Sequence, residues 1–564
     1  MKRLVTYITS ILITASAMTA CMKFDEMGKN PYALYETTTE SFVQPILYNV
    51  EYQVLNAECN ILGHLMQYTV STNYEATAQL AYNYAISDQY NTYLWNIYKQ
   101  FGDANYMYSK ACEGDNPALK GVALILRTYI AALITDTYGN VPYSKAGLIN
   151  LQGDKFDYMI PYDNQKDIYV DMIRSLEKAN EYFLEAEDLV SVTPSLDFNF
   201  DANCDYTYYG NIDKWRRFGN SLYARLLNRV VLKVLEESGG ELSIGGDYGD
   251  INVLYKLAEL YNSFVSGEGQ YPMMRGIDDS ARVKFDKMNS ALYTPFYSTT
   301  SGSWKSSAAC STIVDKMIFR DAAGSVSIAD PRFYRIFTKD KGAPTQIMRS
   351  DMRAFFEDPA NKSKNGNSLI GRYTRGDVTG EHIGDMQNAP SYAMMNYDEL
   401  CFIFAEAGIR GWIPMSGSEY KGLYLKGCRA SIDQWQVDWE QAIDYLAPDC
   451  KIINDYISYL DAEFKDTLED VMWQKYIATL WVGVESWADY RRTGYPLLKT
   501  NGPAAENRGI LPTRLRYPTT ESFQNATYYN EAVDSWLGGE NNMLVDMWWA
   551  SSTESKLNRA KGRQ

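Results

Sequence analysis

Apolar residues recur through most of the chain at the spacing of helices that bury one face. In residues 121–138 an apolar residue returns at every third or fourth position, at Val122, Leu126, Ile130 and Leu133. This period is that of an amphipathic helix. Gly139 and Asn140 follow directly, and a glycine just after a periodic run indicates the end of a helix. The pattern therefore predicts a long helix over residues 121–138.

Other segments carry the same period. Residues 213–235 and 468–491 are predicted as long helices that pack against partners. Residues 392–412 and 419–435 are predicted as a helical hairpin, because small residues along them permit close approach: Ala405, Ala407, Gly408, Gly411, Gly427 and Ala430. Such hairpins are the unit of tetratricopeptide repeats, although no clean repeat of about 34 residues is visible. The fold class predicted from the pattern is mainly all-α.

Long polar stretches rich in Gly, Ser, Asn and Tyr separate the predicted helices at residues 71–91, 293–307 and 340–388. Loops of this length in a compact domain are usually functional or mobile. The chain also has 46 Tyr and 12 Trp. Flat rings with a polar edge suit ligands that are part apolar and part hydroxylated, above all sugars. For any single Tyr, the alternative interpretation is packing at the rim of a helical core.

The candidate ligand-binding residues are therefore chosen from the aromatic residues of these three stretches: Tyr74, Tyr82, Tyr84, Tyr90, Tyr297, Trp304 and Tyr373. Trp304 is the first choice, because it lies among Ser, Gly and Lys residues where no periodic pattern offers it a core to fill. A large ring with small polar neighbours is typical of a contact surface. A contact with a protein partner would explain Trp304 equally well.

The N-terminal segment has the build of an export signal. Lys2 and Arg3 precede an apolar run that closes on small residues at Ala20, as in a secretory signal rather than a spanning helix. The sequence Met18-Thr19-Ala20-Cys21 resembles a bacterial lipobox, in which the cysteine is lipidated and becomes the first residue. An ordinary signal peptide with Cys21 as a bystander is the alternative. We predict a signal peptide over residues 1–20 and a lipidated tether over residues 21–40.

Composition excludes several classes of protein. Loss of Lys2 and Arg3 with the signal changes the formal charge from −16 to −18, and the pI is near 4.8, which argues against nucleic-acid binding. The seven other cysteines are scattered without CxxC spacing, and the chain has only two histidines, a poor basis for a zinc site or a disulfide framework. Asp201, Asn203 and Asp205 have the spacing of a calcium loop, but Tyr206 and Ile212 occupy the positions of its Gly and Glu. We predict no catalytic residues, no metal and no cofactor.

Several motifs are more specific. In chain order they are Leu126-Arg127-Thr128-Tyr129, Asp136-Thr137-Tyr138-Gly139-Asn140-Val141-Pro142-Tyr143, Trp215 with Phe218 to Leu222 and Arg225, Thr294-Pro295-Phe296-Tyr297, Asp330-Pro331-Arg332, Phe404-Ala405-Glu406-Ala407 with Gly411-Trp412, Glu485 to Pro496, Leu511 to Pro518 and Asp546-Met547-Trp548-Trp549. In content and order they resemble the SusD/RagB family, the surface nutrient-binding lipoproteins of Bacteroidota. The resemblance spans Cys21 to Trp549.

The resemblance implies a single domain over residues 41–564, built on tetratricopeptide-like pairs, with long irregular loops on the ligand face. It implies a lipid-anchored protein on the surface of the outer membrane and a SusC-like TonB-dependent transporter as partner. Lys23-Phe24-Asp25-Glu26 resembles the acidic signal that sends such lipoproteins to the surface. Asp489 and Arg492 are expected to pair on a helix, and Trp548 and Trp549 to dock the tail onto the core.

The function predicted first is a non-enzymatic receptor that captures a glycan or oligosaccharide and delivers it to that transporter. Two alternatives remain. One is a peptide-binding lid, as on the RagB side of the family. The other is a surface all-helical glycoside hydrolase or lyase, since carboxylates are abundant enough for a catalytic pair.

Overall fold

A computed structural model describes residues 38–71, 84, 86–285, 307–323, 325–336, 391–437, 451–500 and 510–562. The longer helices, numbered in chain order, are α1 Val43–Ala57, α2 Tyr98–Glu113, α3 Pro117–Tyr138, α4 Gln165–Val192, α5 Ile212–Ser238, α6 Val253–Ser266, α7 Tyr397–Ile409, α8 Gly417–Val437, α9 Lys451–Glu463, α10 Leu468–Ala478, α11 Glu485–Thr493, α12 Ala526–Trp536 and α13 Thr553–Lys561. Short helices are Gly63–Leu65, Asp88–Asn91, Ile149–Gln152, Ser311–Met317, Phe333–Ile336 and Glu521–Gln524. The mainly all-α prediction is confirmed.

The described strands are short and form five antiparallel pairs. They are β1 Thr69–Ser71, β2 Val141–Pro142, β3 Tyr162–Asp163, β4 Glu241–Leu242, β5 Ile251–Asn252, β6 Ala281–Val283, β7 Ser307–Ala309, β8 Ile318–Arg320, β9 Val326–Ala329 and β10 Tyr392–Met395. The pairs are β1 with β7, β2 with β3, β4 with β5, β6 with β10 and β8 with β9. They join segments between helices and do not form a continuous sheet.

The predicted helix over residues 121–138 is α3, which begins four residues earlier. Asn116 caps it, since its Oδ1 accepts a hydrogen bond from the Leu119 amide at 3.0 Å, and Pro117 occupies the first turn. Gly139 ends it with φ of 87°, and a Cβ there would lie 1.9 Å from the Trp536 ring. By length and hydropathy α3 alone among the described helices would suffice to cross a membrane, but 94% of its apolar window is buried inside the protein. It is the central helix of the core.

The predicted helical hairpin is present as α7 and α8, with one correction. Gly408 packs on Tyr420 and Gly427 on Phe402, where a Cβ would lie 2.8 Å from the Tyr420 Cβ and 3.0 Å from the Phe402 ring. The first four residues of the predicted helix over 392–412 instead form β10, whose pairing with β6 takes the place of the first helical turn. Helix α7 therefore begins only at Tyr397.

The prediction of one helix over residues 468–491 is wrong, because the chain breaks into α10 and α11. Between them Trp481 and Gly483 adopt φ of 60° and 57°, in the left-handed region that ends helices. The apolar period of the predicted helix continues through the turn, since Tyr476, Leu480 and Trp487 are all buried. The pattern therefore recorded burial at this position and could not distinguish a buried turn from a helix.

Buried ion pairs join the helices at the centre. Arg229 on α5 binds Asp136 on α3 and Glu485 on α11, and Arg225 binds Glu399 on α7 at 2.6 Å. The Trp549 Nε1 donates to Asp136 Oδ1 at 2.9 Å, and Trp549 is fully buried. The tail therefore docks onto the core as expected.

A second ion cluster lies where α7 meets α10 and α11. Arg492 binds Glu406 at 2.6 Å and Asp489 at 2.7 Å, so the predicted pairing of Asp489 with Arg492 is confirmed. Lys475 also binds Asp489, at 2.8 Å. Neighbouring Arg492 and Arg410 outweigh burial and lower the pKa of Glu406 to about 2.

Candidate functional site

Two strand pairs gather the ends of the three predicted ligand loops. Ser71 at the end of β1 lies opposite Ser307 at the start of β7. Val283 near the end of β6 lies opposite Tyr392 at the start of β10. The predicted loop over residues 71–91 thus starts beside the end of the predicted loop over residues 293–307. The segment that follows β6 starts beside β10, which follows the predicted loop over residues 340–388. The two strand pairs therefore bring the ends of these segments close together.

Helix α1 lies beside the β6–β10 pair and carries alternating rings and amides on its outer face. Tyr48, Tyr52, Gln53 and Asn56 are half-buried and Asn49 is exposed, at positions that follow one another along one side of a helix. Tyr90 and Tyr93 lie next to them, with ring centroids 5.9 Å apart. Burial and the neighbouring Tyr90, Cys59 and Tyr52 raise the pKa of Tyr93 to about 12. We call this set, Tyr48, Asn49, Tyr52, Gln53, Asn56, Tyr90 and Tyr93, the tyrosine face.

The tyrosine face continues inward as an unbroken row of rings. Centroid distances between successive rings are 5.9 Å from Tyr52 to Tyr48, 5.3 Å to Phe285, 5.5 Å to Tyr392, 6.4 Å to Trp481 and 5.9 Å to Trp435. These separations fall in the range of favourable aromatic pairs. The inner rings are buried, with Trp481 5% and Trp435 9% exposed. The outer end of this aromatic row is therefore the accessible one.

The inner end of the aromatic row borders a small polar cavity of about 20 Å³. Its lining includes Arg282, Asn396, Asp398 and Gln434 beside the two Trp rings. The Arg282 Nη1 donates to Asn396 Oδ1 at 2.8 Å, whereas Asp398 Oδ1 and Gln434 Oε1 have no hydrogen-bond partner. Burial raises the pKa of Asp398 to about 7. The space suffices for one water-sized group, so it does not hold a sugar ring.

The inner face of α1 fixes the tyrosine face to the core. Glu51 is fully buried, and the Tyr129 hydroxyl on α3 donates to its Oε1 at 2.7 Å. Burial raises the pKa of Glu51 to about 7. Immediately after α1 the chain makes a π-helical turn over Glu58–Leu62, a local widening that often occurs at functional sites. The rings on the outer face thus stand on a rigid support.

The structure places two of the sequence-predicted ligand residues. Tyr90 is half-buried and belongs to the tyrosine face. Tyr84 is only 1% exposed, so its ring packs in the core and offers no face to a ligand. The alternative interpretation given above, in which a single Tyr packs against the helical core, therefore fits Tyr84. Tyr74, Tyr82, Tyr297, Trp304 and Tyr373 lie outside the described residues, as does Cys21.

The discounted calcium motif has a structural role. Asp205 accepts hydrogen bonds from the Thr207, Tyr208 and Gly210 amides and from Trp215 Nε1, at 2.8 to 3.1 Å. These donors occupy its carboxylate and order the loop that leads into α5. Elsewhere in the described part of the chain, no three His, Cys, Asp or Glu side chains cluster as metal ligands. His64 is buried, and burial lowers its pKa.

Sequence reasoning missed most of the tyrosine face. The signal was present, since Tyr48 and Tyr52 are four residues apart and Asn49, Gln53 and Asn56 share their side of the helix. Rings and amides that alternate on one helical face suit hydroxylated ligands better than a purely charged face does. The long polar stretches indicate loops, whereas most of this face lies on helix α1.

Comparison with known proteins places the chain in a family. A family model for SusD-like proteins, described as starch-binding and associating with the outer membrane, matches residues 31–518. A search of curated proteins gave no match.

Solved structures share the fold over nearly their whole length. A chitin-binding protein is 22% identical with a TM-score of 0.68, covering 91% of this chain and 99% of that chain. A chitin-binding SusD homologue from Flavobacterium johnsoniae is 21% identical with a TM-score of 0.66, covering 92% and 99%. A SusD homologue from Bacteroides fragilis is 20% identical with a TM-score of 0.68, covering 91% and 100%. At these identities the likeness is one of fold, and the family model, which spans most of the sequence, shows that the chain belongs to the SusD-like family.

Proposed function

We propose that this protein is a non-enzymatic receptor on the cell surface that captures a glycan and delivers it to a SusC-like TonB-dependent transporter. The observation that carries the proposal is the tyrosine face, where half-exposed rings and amides lie beside the β6–β10 pair. Rings stack on the apolar faces of sugars, and amides bind their hydroxyl groups. Membership of the family and the chitin-binding relatives of the same fold support this ligand class.

The same features favour binding over catalysis. Among the described carboxylates, Asp136, Glu399, Glu406 and Asp489 are occupied by buried cations, so they hold the fold together. The tyrosine face itself contains no carboxylate, and a glycosidase needs a pair of them. We therefore propose that turnover of the bound glycan is absent, which product analysis after incubation of purified protein with chitohexaose would check.

Aromatic residues of the ligand face are expected to dominate affinity. Trp304→Ala should weaken binding of a glycan found by screening neutral oligosaccharides by about thirtyfold, corresponding to about 2 kcal/mol. Tyr52→Ala should weaken it at least about fivefold, because the variant removes a ring from the exposed end of the aromatic row. Isothermal titration calorimetry measures both effects.

The matched control is Tyr158→Ala, because Tyr158 is 69% exposed and lies outside the tyrosine face. It should leave affinity unchanged. Unaltered affinity in both Trp304→Ala and Tyr52→Ala would contradict the proposed ligand face. A large fall in the melting temperature of Trp304→Ala would instead identify Trp304 as a packing residue.

The partner follows from the mechanism, since a tethered receptor needs a pore to deliver its cargo. We expect a stable complex with a SusC-like transporter whose interface exceeds the roughly 2,000 Å² of permanent assemblies. A pull-down from native membranes in mild detergent should recover both proteins in equal amounts. Recovery of the receptor alone, under conditions that keep other outer-membrane complexes together, would argue against this partner.

A further inference from the structure

A second concave surface lies between α6 and the loop that follows it. Helix α6 ends at Ser266, Gly267 adopts a left-handed φ of 71°, and the chain returns along the helix. The open groove between the helix and residues 268–270 has a volume of about 430 Å³, which is typical of small-ligand sites. It shares no residue with the tyrosine face or the aromatic row.

The loop wall of this groove is held in place by four hydrogen bonds. The Gln270 carbonyl accepts from Asn180 Nδ2 at 3.0 Å and from Arg216 Nη2 at 3.2 Å. The Gly267 carbonyl accepts from Arg275 at 2.9 Å, and the Glu268 carbonyl accepts from the Ser266 hydroxyl at 2.7 Å. A wall fixed in this way loses little conformational freedom when a ligand binds.

Small residues keep the groove open. Ala258 lies on the helix side and Gly269 on the loop side. Gly269 has φ of 112°, and a Cβ at this position would lie 3.0 Å from the Ser263 hydroxyl oxygen. A larger residue at position 269 would therefore crowd the groove and strain the backbone.

The groove displays one large ring and several unpaired polar groups. Tyr255 is 64% exposed, and Asn262, Glu268 and Gln270 are exposed along the same groove. The side chains of Tyr255, Asn262 and Glu268 make no hydrogen bond with the described part of the chain. A ring beside free amide and carboxylate groups matches the mixed apolar and hydroxylated surface of a sugar.

Charge narrows the class of sugar. Glu259 is paired with Lys256 at 3.2 Å, whereas Glu268 has no cationic partner, and the described lining contains no Lys or Arg. A carboxylate whose negative charge is not neutralised by a nearby cation repels the anionic groups of uronic acids and sulfated sugars.

We propose that this groove is a second carbohydrate site, which binds a neutral oligosaccharide by stacking on Tyr255 and by hydrogen bonds to Asn262 and Glu268. The class of ligand rests on the proposed function, but the site itself is independent of the tyrosine face. Two sites on one body would hold a polymer more tightly than either site alone.

The test is calorimetric titration of the whole protein with chitohexaose, maltohexaose and xylohexaose, which are neutral, and with anionic hexagalacturonic acid. We expect two molecules of a neutral hexaose per protein, and only one for Tyr255→Ala. Asn262→Ala should weaken the second event about tenfold, within the range for an interface contact. Tyr158→Ala is the matched control with two bound molecules, and thermal melting should show that Tyr255→Ala is folded.

Each alternative result has a distinct meaning. Binding at one site that Tyr255→Ala leaves intact would overturn the second site and keep the proposed function. Failure of the wild-type protein to bind any of the hexaoses would overturn both. Binding of hexagalacturonic acid that depends on Tyr255 would refute the charge argument. If Tyr255→Ala loses the transporter in a pull-down and still binds two hexaoses, the groove is a protein contact and the inference is wrong.

Discussion

Replacement of Arg492 by Met should cost about 3–5 kcal/mol of unfolding free energy, the usual effect of removing one partner from buried ion pairs. Arg492 is fully buried and binds both Glu406 and Asp489. The variant leaves Glu406 with Arg410 and the Asn228 side-chain amide, and Asp489 with Lys475. Urea denaturation at pH 7 measures the loss.

The pH dependence gives this prediction a second readout. The pKa of Glu406 is lowered to about 2 in the folded protein, below its value in the unfolded chain of about 4.3. Its ionic stabilisation is therefore complete above pH 4.3 and is lost as the pH falls toward 2. The difference between wild type and Arg492→Met should narrow over that interval.

The surface pair of Arg429 with Asp433 provides the control. These residues are four apart on α8 at 2.9 Å, with both side chains about one third exposed. Arg429→Met should change stability by less than about 1 kcal/mol, as is usual for exposed pairs. An Arg492→Met loss as small as that of Arg429→Met, or one that is constant down to pH 2.5, would contradict the assigned role of Arg492.

Replacement of Cys21 by Ala should release the protein from the membrane. The expectation rests on the signal-like residues 1–20 and the lipobox-like sequence that ends at Cys21. Several acyl chains, at about 0.8 kcal/mol per buried CH₂, exceed the limit of reversible binding, and the variant removes their attachment atom. Fractionation of cells should therefore move the protein from the membrane to the soluble fraction.

Intact-mass analysis of the membrane form should find the acyl mass on a chain that begins at Cys21. Cys112→Ala is the matched control, since Cys112 is exposed on α2, and it should remain in the membrane fraction. An unmodified chain that begins elsewhere would disprove lipidation at Cys21.

The sequence predicted helices well where local signals agreed. Apolar period and terminal glycine located the end of α3 at Tyr138, and α5 extends only one residue before and three beyond the predicted 213–235. The predicted start of α3 was late because its cap, Asn116 with Pro117, precedes the apolar stripe. Helix ends are thus set by a few polar contacts that periodicity does not record.

Long-range contacts account for the errors. β10 is extended because β6, more than a hundred residues earlier, pairs with it. The turn between α10 and α11 is packed by Val54 and Leu133, which approach Gly483 closely. Tyr84 is buried although it belongs to the stretch 71–91 that the sequence predicts as a loop. None of these partners can be read from a local window, since each belongs to a distant segment.

The position of the candidate site could be predicted only in part from the sequence. Tyr content indicated a hydroxylated ligand and the long loops indicated where to look. Of the predicted residues, Tyr90 lies in the tyrosine face. Tyr48 and Tyr52 also belong to this face, but the sequence analysis did not predict them. Their place in a continuous row of rings becomes visible only when Phe285 and Tyr392 extend that row.

The contacts of Asp136 also constrain when the native core can form during synthesis. Its side chain is bonded by Tyr169, by Arg229 and by Trp549, which lies 413 residues further along the chain. Before the ribosome has made that tryptophan, the central carboxylate lacks one of its donors, and closing so long a loop is slow. Such a delay would suit the export that we predict from residues 1–20, because a polypeptide still incompletely folded can be threaded through a secretion channel.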